Sequence, residues 1–130
     1  MNDHKTYLSL SAGSTLTFEE ASQILDAINE CYGKISAEDK EDYYKDMLEK
    51  AFKYSGIRCE WELMTGEERS EKDPYRTSVH NGFIISLNVL ARLAELEGID
   101  ASWLGKLGEN RKRIGDFACF LTYINGICNR

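Results

Sequence analysis

Ser55-Gly56-Ile57-Arg58-Cys59-Glu60-Trp61-Glu62-Leu63-Met64 is the stretch that decides the fold class. Ile57, Cys59, Trp61 and Leu63 alternate with Arg58, Glu60, Glu62 and Met64, the period of a strand with one buried and one wet face. Ser55-Gly56 supplies a break in front of it. A lone strand leaves its backbone groups unpaired, so a partner is required. Lys5–Leu10, where Leu8 and Leu10 alternate with Tyr7 and Ser9, is the candidate. The expectation is an α+β fold, helix-dominated, with about four main helices and a small antiparallel sheet.

Upstream of this stretch the spacing is helical. Thr17 with Glu20 forms a capping box, and Phe18, Ala21, Ile24, Leu25, Ile28 and Cys31 follow on one face until Gly33 stops the helix. Ser36 is read as opening a second helix, with Tyr43, Tyr44, Met47, Leu48, Ala51 and Phe52 as its stripe and Ser55-Gly56 as its end. Downstream, 65–73 reads as a polar acidic loop, and Asp73-Pro74 as a helix start. From Tyr75 to Glu97 apolar residues line two sides: Val79, Phe83, Leu87, Leu90 and Ala94 on one, and Ile85, Val89, Leu93 and Leu96 on another. Gly98 ends that helix, Asp100 caps a short turn, and Asn110 caps a last helix from Arg111 to about Ile127. The 130 residues therefore form one domain. It comprises an αα-hairpin with strands over 1–64, the loop over 65–73 and a helical pair over 74–130.

Charge is divided along the chain. Residues 1–73 carry 9 basic and 17 acidic side chains, whereas 74–130 carry 7 and 5, within a net charge of −6. The acidic half repels nucleic acid, so direct DNA binding is not expected, and it suits a basic groove on another protein. Candidate contacts are Glu38, Asp39, Glu41, Asp42, Glu60, Glu62, Glu67 and Glu68, with Tyr43, Tyr44 and Trp61 as the nearest aromatic anchors. The basic triplet Arg111-Lys112-Arg113 opposes its own helix dipole, and the acidic half of the same chain is its simplest neutralising partner.

Catalytic signatures are sparse. Gly105 and Gly108 flank Lys106-Leu107 without the rest of a phosphate loop, no nucleophile elbow occurs, and no metal-ligand spacing is seen. No cofactor or metal is expected. Cys31, Cys59, Cys119 and Cys128 form no C-x-x-C pair and read as reduced, mostly buried thiols. Arg76 and His80, one turn apart, are the alternative catalytic pair. Arg76-Thr77-Ser78-Val79-His80 looks like a shortened version of the motif of toxin-type helical ribonucleases, whose spacer is longer. Without an apolar run of roughly 18 residues or a signal-peptide core after Met1-Asn2-Asp3-His4-Lys5, a cytoplasmic protein is expected.

Arg111–Phe120, together with Arg76–Asn81 and Leu87–Arg92, resembles a family of small acidic proteins from prophages and conjugative elements of Gram-positive bacteria. The resemblance covers about residues 74–125 and implies a mobile-element origin. In that setting small acidic proteins inhibit host defence complexes, CRISPR effectors among them, by binding them. The resulting expectation is a non-enzymatic protein-binding inhibitor or modulator. The toxin-type ribonuclease and a dimeric structural protein are the alternatives. A dimer is expected because both late helices are apolar around more of their circumference than one small core needs.

Overall fold

Two Thr-x-x-Glu boxes, Thr17–Glu20 and Thr65–Glu68, start the two helices that frame this protein. In each, the threonine hydroxyl accepts from the glutamate N–H, at 3.0 Å and 3.2 Å, and the glutamate carboxylate accepts from the threonine N–H in return. The structure, a computed structural model, describes residues 16–108 and 111–125. Five helices follow one another: α1 Phe18–Lys34, α2 Lys40–Trp61, α3 Gly66–Leu96, α4 Ser102–Gly108 and α5 Arg111–Ile124. Of the described residues 84% are helical and none is in a strand. The fold is all-α.

That overturns the expected sheet. Ile57–Leu63 is no strand; α2 runs through Ser55-Gly56 to Trp61, and Leu63 stands in the corner behind it, 88% exposed. The physical reason is a helical stripe hidden under the alternation. Met47, Ala51, Tyr54 and Ile57 continue at spacings of three and four onto Trp61, and the first four are buried. Tertiary burial along this stripe outweighs the unfavourable helix propensity of Gly56. The strand assigned to Lys5–Leu10 lies outside the described residues, as does the capping role of Asn110.

Two further boundaries move. Residues 65–73 are the first turns of α3 rather than a loop, because the Thr65–Glu68 box nucleates a helix that the polar sequence hides. Pro74 therefore sits inside α3, where it removes one backbone donor and crowds the carbonyl one turn back. Ser36 does not open α2, which starts at Lys40. Its N–H and hydroxyl instead both donate to the Glu97 carboxylate at 2.7 Å, clamping the α1–α2 link to the far end of α3. There Gly98, at φ +80°, closes a Schellman turn: its N–H donates to the Glu95 carbonyl, and the Ile99 N–H to that of Ala94, both at 3.0 Å.

The core is built around α5, whose residues from Ile114 to Tyr123 are all buried. Helix α2 packs most extensively against α3 and α5, so the three form the central unit, and α1 covers α3 and α5 from outside. Aromatic rings bind the layers: Phe117 stacks with Phe83 of α3 at 6.4 Å and with Phe120 at 6.2 Å, and Phe120 meets the Phe18 edge at 5.2 Å. The buried hydroxyls of Ser86 and Thr122 are satisfied within their own helices, Ser86 donating to the Phe83 carbonyl and Thr122 to that of Ala118. The apolar circumference of α5 is thus used inside the fold. On α3, Ile85 and Leu96 stay largely exposed, and a dimer would have to close over them. Light scattering at micromolar concentration distinguishes such a dimer from the 14.8 kDa chain. Among the described residues no helix is long and apolar enough to cross a membrane.

Gly56 gives a direct check on the helical assignment. A Cβ added there meets nothing within 4 Å. Gly56→Ala should therefore stabilise the protein by about 0.5–1 kcal/mol in urea denaturation, the helix-propensity difference between the two residues.

Candidate functional site

Where α2 ends, Arg58 turns inward. Its Nη2 donates to Asp116 Oδ1 of α5 at 3.2 Å; the aspartate is 1% exposed and the arginine 21%. The guanidinium passes over Gly115, where any Cβ would collide with it, and lies 5.9 Å from the Tyr54 ring centre. One turn later Trp61 takes two arginines from α3. Arg69 Nε donates to the Trp61 carbonyl at 2.9 Å with its Cζ 5.8 Å from the ring, and Arg76 Cζ lies 4.9 Å from it. Arg76 is also forked onto Asp73 Oδ1, through Nη2 at 2.9 Å and Nε at 3.3 Å. Each arginine is held by a ring and an oxygen acceptor, so its position is fixed before anything binds.

These side chains surround a cleft of about 220 Å³ lined by Tyr54, Arg58, Trp61, Glu62, Arg76 and Lys112. The cleft draws cations from three helices, two rings from α2 and a single carboxylate. The sequence singles out Trp61, Glu62, Arg76 and Lys112 for other reasons. Tyr54 and Arg58 are missed, since a strand over 57–63 puts Arg58 on the wet face.

His80 stands apart. Its ring meets Tyr54 edge-on at 5.2 Å, with Nδ1 3.2 Å from Asn81 Oδ1, and it is not among the residues lining the cleft. Arg76 and His80 share the side of α3 that faces α2, but Arg76 is tied to Asp73 and His80 to Tyr54 and Asn81. Asp116 serves Arg58, not Arg76.

The acidic candidates fall into two groups at opposite ends of α2. Glu38, Asp39, Glu41 and Asp42 are exposed at its start, with Asp39 at the N-cap position and Glu41 and Asp42 favourably placed on the positive end of the dipole. Beside them Tyr43 is 37% exposed, whereas Tyr44 donates to Asn29 Oδ1 at 2.7 Å and packs against Tyr32. Glu60, Glu62, Glu67 and Glu68 are exposed around the α2–α3 corner, joined there by Glu71 and Asp73. At 1.5 Å per helical residue the two groups stand about 27 Å apart. The corner also carries the apolar surface: exposed Leu63, half-buried Trp61 and Met64, and Tyr75 at 50% exposure on α3. The basic start of α5 meets the acidic half as expected, Arg113 lying 3.5 Å from Glu20.

Three carboxylates are held below the usual range by donors. Backbone and side-chain hydrogen bonds from Thr17 and Thr65 lower Glu20 and Glu68, and the Ser36 hydroxyl and N–H lower Glu97, helped by Lys40. A lowered folded pKa adds stability above the unfolded value, near 4.5, and that stability is lost as pH falls through the folded value. Unfolding midpoints measured from pH 6 down to pH 3 should therefore drop below about pH 4.5, and Glu97→Gln should flatten part of that slope.

Among the described residues no group of three or more His, Cys, Asp or Glu could hold a metal ion, and Cys31, Cys59 and Cys119 are thiols. Cys128 lies outside the described residues. Comparison with protein-family models, with curated proteins and with solved structures gives no match.

Proposed function

We propose that this chain is a non-enzymatic protein-binding inhibitor or modulator that docks a basic surface of another protein through its α2–α3 corner. The observation that carries the reading is Leu63, 88% exposed in that corner, with the exposed acids Glu60, Glu62, Glu67 and Glu68 on either side of it in the chain. An apolar centre with a charged rim is the anatomy of a protein interface. The acidic rim selects a basic groove and speeds encounter with it, while the apolar contacts slow release. Nucleic-acid-binding defence complexes, CRISPR effectors among them, expose grooves of that kind, and the resemblance to mobile-element proteins favours them as the partner. The cytoplasm, where such complexes work, is the compartment this reading requires.

The corner, rather than the start of α2, is the contact surface because apolar and acidic groups coincide there. Leu63→Asp should abolish partner binding without loss of helicity, since the side chain packs on nothing that the fold needs. Reversing Glu38, Asp39, Glu41 and Asp42 to lysine should slow association only modestly, through the long-range field. The ribonuclease reading makes the opposite demand. If His80→Ala abolished activity in a folded protein while Leu63→Asp changed nothing, Arg76 and His80 would be the working pair.

A further inference from the structure

We infer that the outer face of α3 pairs antiparallel with the same face of a second copy of this chain, about a two-fold axis at Ile85. The inference goes beyond the docking reading, since Leu63 and the acids of the corner take no part in it. Tyr75, Ser78 and Gly82 lead at alternating spacings of three and four to Ile85, and Val89, Arg92 and Leu96 continue the same spacing. That is the repeat of a coiled-coil seam. None of these residues belongs to the buried stripe of α3, and Ile85 and Leu96 are left 61% and 66% exposed.

Two observations choose a second copy as the cover. The first is charge. Residues 77–91 carry no Asp, Glu, Lys or Arg, the longest such run in a chain that is 29% charged with a net charge of −6. Two acidic copies repel one another elsewhere, and this face is where they approach without that cost. The second is symmetry. An isologous contact needs a patch that complements itself when turned end for end. About Ile85 the seam does so. Leu96 of one copy falls on Tyr75 of the other, Ile85 on Ile85, and Val89 on Gly82, beside which the Lys50 stem lies. Arg92, the one charge of the seam, falls next to Ser78 and stands about 20 Å along the axis from its own counterpart. A parallel pair would set Arg92 against Arg92, so the antiparallel direction follows. From Tyr75 to Leu96 the seam is about 32 Å long and about 10 Å wide, roughly 300 Å² per copy against the ~800 Å² of a standard complex. The dimer is therefore a weak one that forms as concentration rises.

Sedimentation equilibrium of the full chain from micromolar to near-millimolar concentration tests this. The wild type is expected to pass from the 14.8 kDa monomer to a dimer across that range. Ile85→Glu and Ile85→Lys should each weaken self-association roughly a hundredfold, because each sets like charges against one another on the two-fold axis. Mixed in equal amounts the two should associate again, since glutamate then meets lysine. Ile85 is exposed, so neither change threatens the fold, and circular dichroism verifies that. Leu63→Asp should dimerise as the wild type does, which separates this seam from the docking surface. A wild type that stays at 14.8 kDa throughout would overturn the inference and leave the face to a different partner. A mixture no more associated than its two components would overturn it as well.

Discussion

Arg58→Ala should lower the unfolding free energy by about 3 kcal/mol. The cost arises from what is left behind. Asp116 is 1% exposed on the fully buried face of α5, and without the guanidinium its carboxylate loses a charged donor in a place that water reaches poorly. Arg58 itself keeps 21% exposure, so some water enters after truncation, which puts the loss at the lower end of the range for broken buried pairs. Gly115→Ala should act in the same direction, because the added Cβ occupies the path of the Arg58 side chain. Replacing both partners, Arg58→Met with Asp116→Leu, should recover most of the loss, since a well-packed apolar pair removes the desolvation penalty along with the attraction. Urea denaturation of the two single variants and the double variant measures the coupling. Additive losses in the double variant would mean that the two residues act separately.

Phe117→Ala should cost about 3–5 kcal/mol, the range for emptying a buried aromatic site. Phe117 is wholly buried and stacks with Phe83 and Phe120, and Phe120 in turn meets Phe18. Truncation thus opens a void at the point where α3, α5 and α1 meet. Close-packed neighbours on three helices cannot all move inward to fill it. Phe117→Leu, which keeps most of the volume, should lose far less. Thermal unfolding followed by circular dichroism reads both, and a loss below about 1 kcal/mol for the alanine variant would place this ring outside the working core.

The helices were legible where amphipathic period and capping chemistry agreed. Thr17–Glu20 opens α1 as read, the stripe Val79, Phe83, Leu87, Leu90 and Ala94 is buried on α3 together with Ser86 and Ala91, and Gly98 closes that helix in the left-handed region. Failures came where a local signal competed with burial. Alternation over Ile57–Leu63 is a true feature of the sequence, but four apolar positions at helical spacing weigh more once α3 and α5 are there to cover them. Gly56 reads as a break and Pro74 as a helix start, and both are carried inside helices held by packing and by a capping box. The Thr65–Glu68 box has the same spacing as the one recognised at Thr17, yet no apolar stripe follows it at once, so it passed as loop.

The same error hid the cleft. Taken as a strand residue, Arg58 points to water; as a helix residue one turn beyond Tyr54, it points at Asp116 across the packed face. Glycine at position 115 is the sequence mark of that approach, and it acquires meaning only once α2 and α5 are known to touch. The acidic residues were found from composition alone. Their division into two groups about 27 Å apart follows only from the length of α2.

The docking claim is tested most directly by surface-immobilised association kinetics with a partner isolated from host lysate on the wild-type chain and then purified. Wild type, Leu63→Asp and the four-residue reversal at Glu38, Asp39, Glu41 and Asp42 are compared across a salt series. The account predicts an association rate for wild type that falls with salt, no measurable binding by Leu63→Asp at unchanged helicity, and a modest slowing for the reversal. Full binding by Leu63→Asp, or loss of binding with the reversal alone, would contradict it.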